Sequence, residues 1–284
     1  MTIQTAAAQI ARSYPLPAQG FDEMLDPQGQ VRPHWAYLMQ ALGELGYDGV
    51  SQRHREALKL LRENGVTYNV YGGADGGNRP WQLDPLPLVV SAADWLSIEA
   101  GLLQRAELLN LVLEDLYGPR ELIRKGLLPP ALIFAHDGFL RACDRVKLRG
   151  RHQLILYAAD LARGPDQNMW VLGDRTQAPS GAGYALENRL AMARVLPSLF
   201  RNAHVHRLEP FFQSLRAGLD AIAPARSELP RVVVLTPGPY NETFFEHAYL
   251  AAQLGYPLVQ GDDLTVRDGY VWMKSLTGLQ QVDV

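Results

Sequence analysis

In YAADLARGPDQNMWVLGDRTQAPSGAGYALENR, residues Tyr157–Arg189, two strand-like segments flank a tight turn, each ends on an aspartate, and a serine- and glycine-rich bend follows. LILYAAD, ending at Asp160, and MWVLGD, ending at Asp174, alternate apolar and small residues as strands do, and GPDQN between them supplies turn chemistry. The spacing therefore predicts an antiparallel hairpin that brings Asp160 and Asp174 toward one end of the ribbon. Two carboxylates at neighbouring strand ends repel unless a cation or a guanidinium lies between them, and a hard divalent ion such as Mg2+ is the usual occupant of an oxygen site. The alternative is that each aspartate caps a turn or pairs with Arg163 or Arg175. After Asp174 come Thr176, Gln177 and Ser180 as neutral oxygen donors. The glycine-containing bend of Gly181 and Gly183 then opens a helix, whose unsatisfied first amides suit an anion. Glu187, Asn188 and Arg189 lie within that helix, where consecutive residues point in different directions.

Upstream, HWAYLMQALGELG and SQRHREALKLLRENG read as two helices, the second capped by Ser51 and stopped at Gly65. Val66–Tyr71 suits a strand, and Gly72, Gly73, Gly76, Gly77 and Asn78 a surface loop that lacks the Gly-Lys-Ser/Thr ending of a phosphate-binding loop. SAADWLSIEAGLLQRAELLNLVLEDLYGP is a helix capped by Ser91 and stopped at Gly118–Pro119. Its apolar stripe of Trp95, Leu102, Leu109 and Leu113 is expected in the core. ALIFA then reads as a strand. Downstream of the hairpin come a helix interrupted near Pro197, a second over EPFFQSLRAGLDAIAP, and a strand at Val232–Leu235. A Thr-Pro-Gly-Pro turn, a helix from about Asn241 to Leu254, and a short strand PLV complete a Rossmann-like β-loop-α-β unit. TVRDGYVWM is a hairpin turning at Asp268–Gly269.

With 47% apolar and 20% charged residues over 284 positions, the chain has the makeup of a globular protein, not of a disordered one. A net charge of -3 supplies no general attraction for nucleic acid. The single Cys143 rules out an internal disulfide, and neither a signal-peptide pattern nor a membrane-length apolar run is present, so a cytoplasmic location is expected. His204 and His206 have metal-ligand spacing but lack a third ligand in view, and His247 is a helix histidine with no sequence-evident partner.

The segments RPHW, TYNVYG, RPWQLDPLPLVVSAADW, LYGP, LLPPALIF, YAADLARGPD, VLGDRTQAPSGAGYALENR, TPGPYNETFFEHAYLA and GDDLTVRDGYVWMKSLTGL resemble the circularly permuted type 2 ATP-grasp proteins, relatives of glutathionylspermidine synthase-like ligases. The likeness runs from about Phe21 to Val284. It implies an α/β, circularly permuted ATP-grasp-like fold with an antiparallel hairpin sheet and a Rossmann-like unit, incomplete at the C-terminus. It also implies three regions: 1–130, helical with a glycine-rich loop; 131–226, the metal and substrate hairpin with its helices; and 227–284, the start of a substrate lobe.

The implied chemistry is ATP-dependent joining of a carboxylate to an amine through an acyl phosphate, with ATP and Mg2+ as cofactors and small-molecule or peptide carboxylates and amines as substrates. Neither nucleic acid nor membrane is a partner in this picture. The first metal-binding acid falls at Asp160 and the following ligand pair at Asp174 and Thr176, where relatives have glutamate and asparagine. Relatives also carry an arginine two residues before the first acid. This chain has Ala158 there, leaving Arg163 or Arg175 to supply the catalytic charge. Ser180, Gly181 and Gly183 are then assigned to the cofactor, and Asn188, Arg189, Asn241 and Glu242 to substrate. The resemblance places the nucleotide-clamping lysines and strands beyond LQQVDV, which points to a truncated ligase or to a second chain that supplies the other half. Lys274 reads as a solvent-facing strand lysine. The rival reading is a non-catalytic module that recognises a peptide or partner protein through the same cleft.

Overall fold

The computed structural model describes residue 14 and residues 20–70, 79–224 and 229–284; the glycine-rich loop of Gly72 to Asn78 and most of the N-terminal arm lie outside the described residues. Helix α1, Pro33–Glu63, is the expected pair of helices joined at Gly46, whose φ of 65° and ψ of 177° break the helical run. That conformation is open essentially to glycine alone. The second half starts directly after this kink, so Ser51 sits inside the helix and does not cap it.

The core forms where α1 meets α5, Ala182–Val195, and α6, Pro197–Asn202. Leu38, Met39, Leu42 and Ala57 pack on Met192, Val195, Leu196 and Leu199. A second cluster joins Leu61 and Val66 to Tyr184 and Ala191. Full burial of each leucine contributes about 1.5–3 kcal/mol, so these contacts hold α1 against the helix that follows the hairpin. The break between α5 and α6 falls at Pro197, as the sequence predicts.

Helix α2, Ala92–Leu116, begins where expected: the Ser91 hydroxyl accepts the Asp94 N–H at 3.1 Å. Its packing differs from expectation. Trp95 is 41% exposed, Leu102, Leu109 and Leu113 are half-buried, and Asn110 is the residue of this helix that is fully buried. Leu96, Leu103, Leu108 and Leu111 stand more than half exposed. Two short helices follow, α3 at Glu121–Arg124 and α4 at Pro130–Phe134. The second replaces the strand expected for ALIFA, because Pro130 at the first helical position has its φ preset and lacks only an N–H that would be orphaned anyway.

Strands β1, Ala158–Arg163, and β2, Met169–Arg175, form the predicted hairpin around Gly164–Asn168. Leu154 to Tyr157 does not join it. The N–H groups of Gln153 and Leu154 instead donate to the buried Asn110 Oδ1, at 2.7 and 3.0 Å, and moor this segment to α2. After α7, Glu209–Ile222, strands β3, Val234–Leu235, and β4, Leu258–Val259, pair in parallel across α8, Phe244–Leu254. This is a single right-sized β-α-β crossover with two-residue strands, and its helix starts at Phe244, later than Asn241. The chain then forms an antiparallel sheet of β5, Leu264–Arg267, β6, Tyr270–Ser275, and β7, Gly278–Gln281. Its first turn falls at Asp268 and Gly269, both with positive φ, as Asp-Gly predicts; β7 was not foreseen. Among the described residues no helix is long and apolar enough to cross a membrane.

Candidate functional site

The hairpin register sets the site. Ala159 lies opposite Asp174, and Asp160 lies opposite Gly173. Directly opposed residues share a face and neighbours along a strand alternate, so Asp160 and Asp174 project from opposite faces of the ribbon. The expected meeting of the two carboxylates does not occur, because the true pairing differs by one residue from the one that would align them.

On the outward face, Arg175 Nε donates to Asp160 Oδ2 at 3.0 Å. On the inward face, Asp174 accepts a forked pair of bonds from Arg105 of α2, with Nε at 3.0 Å, and a third bond from the Tyr157 hydroxyl at 2.6 Å. The Arg105 guanidinium, followed by the Tyr157 hydroxyl, holds the Asp174 carboxyl below the usual carboxylate range. Burial, then the Asp174 contact, pushes the Tyr157 phenol up. Arg163 also faces inward and is fully committed. Nε donates to Glu23, Nη2 to Asp94 at 2.9 Å and Nη1 to the Gln167 carbonyl at 2.8 Å, and its guanidinium lies over the Phe21 ring. The inward face is thus riveted to α2 at two heights, Asp94 and Arg105. Arg163 and Arg175 stand on opposite sides of the ribbon. Thr176 is exposed beyond its end.

The N-terminus of α5 holds an anion supplied by the protein itself. Both carboxylate oxygens of Glu246, on α8, accept the Gly181 N–H at 2.7 and 2.8 Å, and Oε1 also accepts the Gly183 N–H at 2.7 Å. Glu246 is 1% exposed. Helix-terminal amides and dipole favour a carboxylate here for the same reason they would favour a phosphate. The amides of the two glycines assigned to the cofactor are therefore matched internally, while Ser180 remains exposed. Beside this contact, Tyr184 stacks on Trp81 with centroids 4.4 Å apart and donates to the Thr67 carbonyl. Burial first, and then the Glu246 charge, pushes its phenol up to about 12.

The residues assigned to substrate are dispersed. Asn188 Oδ1 accepts the Trp81 indole N–H at 2.8 Å. Arg189 donates to the His206 carbonyl at 2.6 Å and lies over the Phe200 ring, and burial lowers its pKa. Asn241 Oδ1 accepts both the N–H and the hydroxyl of Thr243, whereas Glu242 is exposed. Because the Thr243 hydroxyl donates to Asn241, it accepts from His247 Nε2 at 3.2 Å. That leaves His247 Nδ1 to accept the hydroxyl of the buried Thr236 at 2.9 Å. Burial lowers the His247 pKa, consistent with a neutral ring locked at both nitrogens.

Sequence reasoning missed Arg105, Tyr157, Asn110 and the contact of Glu246 with Gly181 and Gly183. Arg105 meets Asp174 across 69 positions and Glu246 meets Gly181 across 65, and no local pattern marks either pairing. The buried Asn in an otherwise apolar helical stripe was the one visible signal for Asn110.

A helix-backed antiparallel hairpin leading through a glycine bend into α5, followed by the β-α-β unit, is the segment that comparison with known proteins identifies. Residues 87–284 match the family model for circularly permuted ATP-grasp type 2, and the chain belongs to that family. An uncharacterized protein of Mycobacterium tuberculosis is 46% identical over 276 residues, covering 94% of this chain and 31% of its own length. One from Synechocystis is 37% identical over 268 residues, covering 94% of this chain and 56% of its own. Another M. tuberculosis protein is 36% identical over 267 residues, with 94% and 48% covered. The chain thus spans between about a third and a little over half of these relatives.

The family generally uses ATP and Mg2+. A divalent ion needs several oxygens converging from one side. The hairpin directs its two aspartates apart, each against its own guanidinium. No group of three His, Cys, Asp or Glu suited to a metal is assembled among the described residues. The described residues of the hairpin do not fit the ion.

Proposed function

We propose that this chain is part of an ATP-dependent ligase that joins the carboxylate of a small molecule or peptide to an amine. In that reaction a carboxylate oxygen attacks the γ-phosphorus of ATP and ADP leaves. The amine nitrogen then attacks the acyl phosphate carbon, inorganic phosphate leaves with the bonding pair, and the amine gives up its proton. The reading is carried by family membership across residues 87–284, which takes in the hairpin, α5 and the β-α-β unit. The activity belongs to the whole protein, since relatives extend well beyond the matched length. Further polypeptide, from the same chain or a second one, is a suitable cover for Leu96, Leu103, Leu108 and Leu111, which α2 leaves exposed. The assigned substrate residues Asn188, Arg189, Asn241 and Glu242 are part of this proposal, as are a β-α-β unit of Rossmann type and a cytoplasmic location.

A second reading, a non-catalytic module that recognises a peptide or partner protein, is favoured by one observation. The groups that would receive cation and phosphate are already paired within the protein: Asp160 with Arg175, Asp174 with Arg105, and the Gly181 and Gly183 amides with Glu246. ADP release by the full-length protein, with Mg2+-ATP and a panel of amino acids, polyamines and short peptides, separates the two. Amine-dependent ADP and amide formation supports the ligase. Peptide binding detected by thermal shift, with no ADP formed under any combination, supports the module.

A further inference from the structure

We infer that the hairpin is a cation-independent element in which the Arg175 guanidinium, not a divalent metal ion, is the resident partner of Asp160. Four features lead there. The first is parity: Asp160 pairs across the ladder with Gly173 and Asp174 with Ala159, so rotamer changes cannot bring the two carboxylates to one side of the ribbon. The register shift of this hairpin lies between Asp160 and Leu161, on the turn side of these rows, and does not restore a common face.

The second is the composition of the outward face. Around Asp160 it carries Ala158, Ala162, Gly173 and Arg175, none of which offers an oxygen from its side chain. A Cβ at Gly173 would stand 3.8 Å from Asp160 Oδ2, so the position across the ladder points at the carboxylate and presents nothing to it. One half-exposed carboxylate is a poor Mg2+ ligand set, because the ion keeps most of its water unless several fixed oxygens replace it.

The third is occupancy. Arg175 Nε and Nη2 both lie 3.0 Å from the same Asp160 oxygen, which puts a positive charge where an ion would approach. The fourth is that Asp174 would have to break the Arg105 fork and the Tyr157 bond to serve any metal, and in doing so would give up one of the two ties between the hairpin and α2. This inference concerns the hairpin alone and does not rest on the ligase reading: an enzyme that received Mg2+ through ATP and other residues would leave it intact.

The test uses the full-length protein with Mn2+ and no nucleotide. Free Mn2+ is followed by its EPR signal for wild type, Asp160→Asn and Asp174→Asn. All three are expected to bind the same number of ions with Kd values within about twofold. Loss of one ion per chain, or a tenfold weakening in either variant, overturns the inference. A second readout needs no carboxylate variant. Trp170 lies on the outward face of β2, and its indole N–H signal, identified with Trp170→Phe in protein carrying 15N-tryptophan, reports Mn2+ bound nearby. Uniform, bulk-like broadening is expected, and selective loss of that signal at substoichiometric Mn2+ overturns the inference. Neither readout depends on turnover, so a failed ligase assay and a failed metal test are told apart.

Discussion

The carboxylate of Glu246 lies against the backbone of Gly183, accepting its N–H at 2.7 Å while also holding the Gly181 N–H with both oxygens. The contact locks α8 onto the start of α5, and with it the β-α-β unit onto the helix that leads out of the hairpin. It works only because residue 183 has no side chain: a Cβ there would come within 2.9 Å of Glu246 Cγ.

Glu246→Gln keeps the shape but replaces one acceptor oxygen by an NH2 facing an N–H donor. A loss of about 1.5–3 kcal/mol is expected, the range for hydrogen bonds to charged groups. Gly183→Ala is expected to cost about 1–3 kcal/mol through overpacking. Because the two sites touch, the double variant loses less than the sum. Urea denaturation of the four proteins checks this; additive losses would mean the two residues act separately.

Gly46 offers a cleaner backbone test. A Cβ at this position meets nothing within 4 Å, so Gly46→Ala removes no contact and creates no clash. With φ at 65° and ψ at 177°, any loss is conformational strain, expected at about 1–3 kcal/mol. A variant as stable as wild type would show that the two halves of α1 do not need this kink.

Asp174 predicts acid sensitivity. Its folded-state pKa is depressed, so the stabilisation is fully present above the unfolded carboxyl value of about 3.9 and is lost as pH falls through the lower folded value. Acid unfolding of wild type and Asp174→Asn should therefore differ in slope below about pH 4, with the variant flatter. Arg105→Gln should flatten the profile in the same way. Parallel curves for all three proteins would remove Arg105 as the cause.

His247 titrates in a milder range. Burial lowers its folded pKa, so the unfolded chain takes up the proton first, and stability present above about pH 6.5 falls as pH drops below it. His34 is lowered by burial as well and contributes in the same direction. Melting temperatures between about pH 7.5 and 5.5 should fall for wild type and fall less for His247→Gln in a His34→Gln background. Equal slopes in the two proteins would place the ring in water.

Much of the fold can be read along the chain because its signals are local. The Ser91 cap, the break at Pro197, the GPDQN turn and the Asp268–Gly269 turn each depend on a few adjacent residues, and each lies where it was expected. ALIFA forms a helix where a strand is expected, because five apolar residues carry no decisive period and the preceding prolines settle the matter toward helix. The α2 stripe is less buried than its spacing predicts, because amphipathic spacing reveals a face without revealing what covers it.

The candidate site was legible in its residues but not in its geometry. Asp160 and Asp174 do sit at one end of a hairpin, yet their orientation depends on whether the ladder pairs 160 with 174 or with 173, a difference of one position that reverses the face. Alternation, turn residues and caps marked most of the strands and helices along the chain, because those signals act between near neighbours, and the quoted segments carried the resemblance to the family. The tertiary structure alone decided that Arg105 would reach Asp174, that Arg175 would take Asp160, and that Glu246 would close the end of α5. Contacts between residues 65 or 69 positions apart, and the parity of a ladder, are set by how whole elements settle against one another.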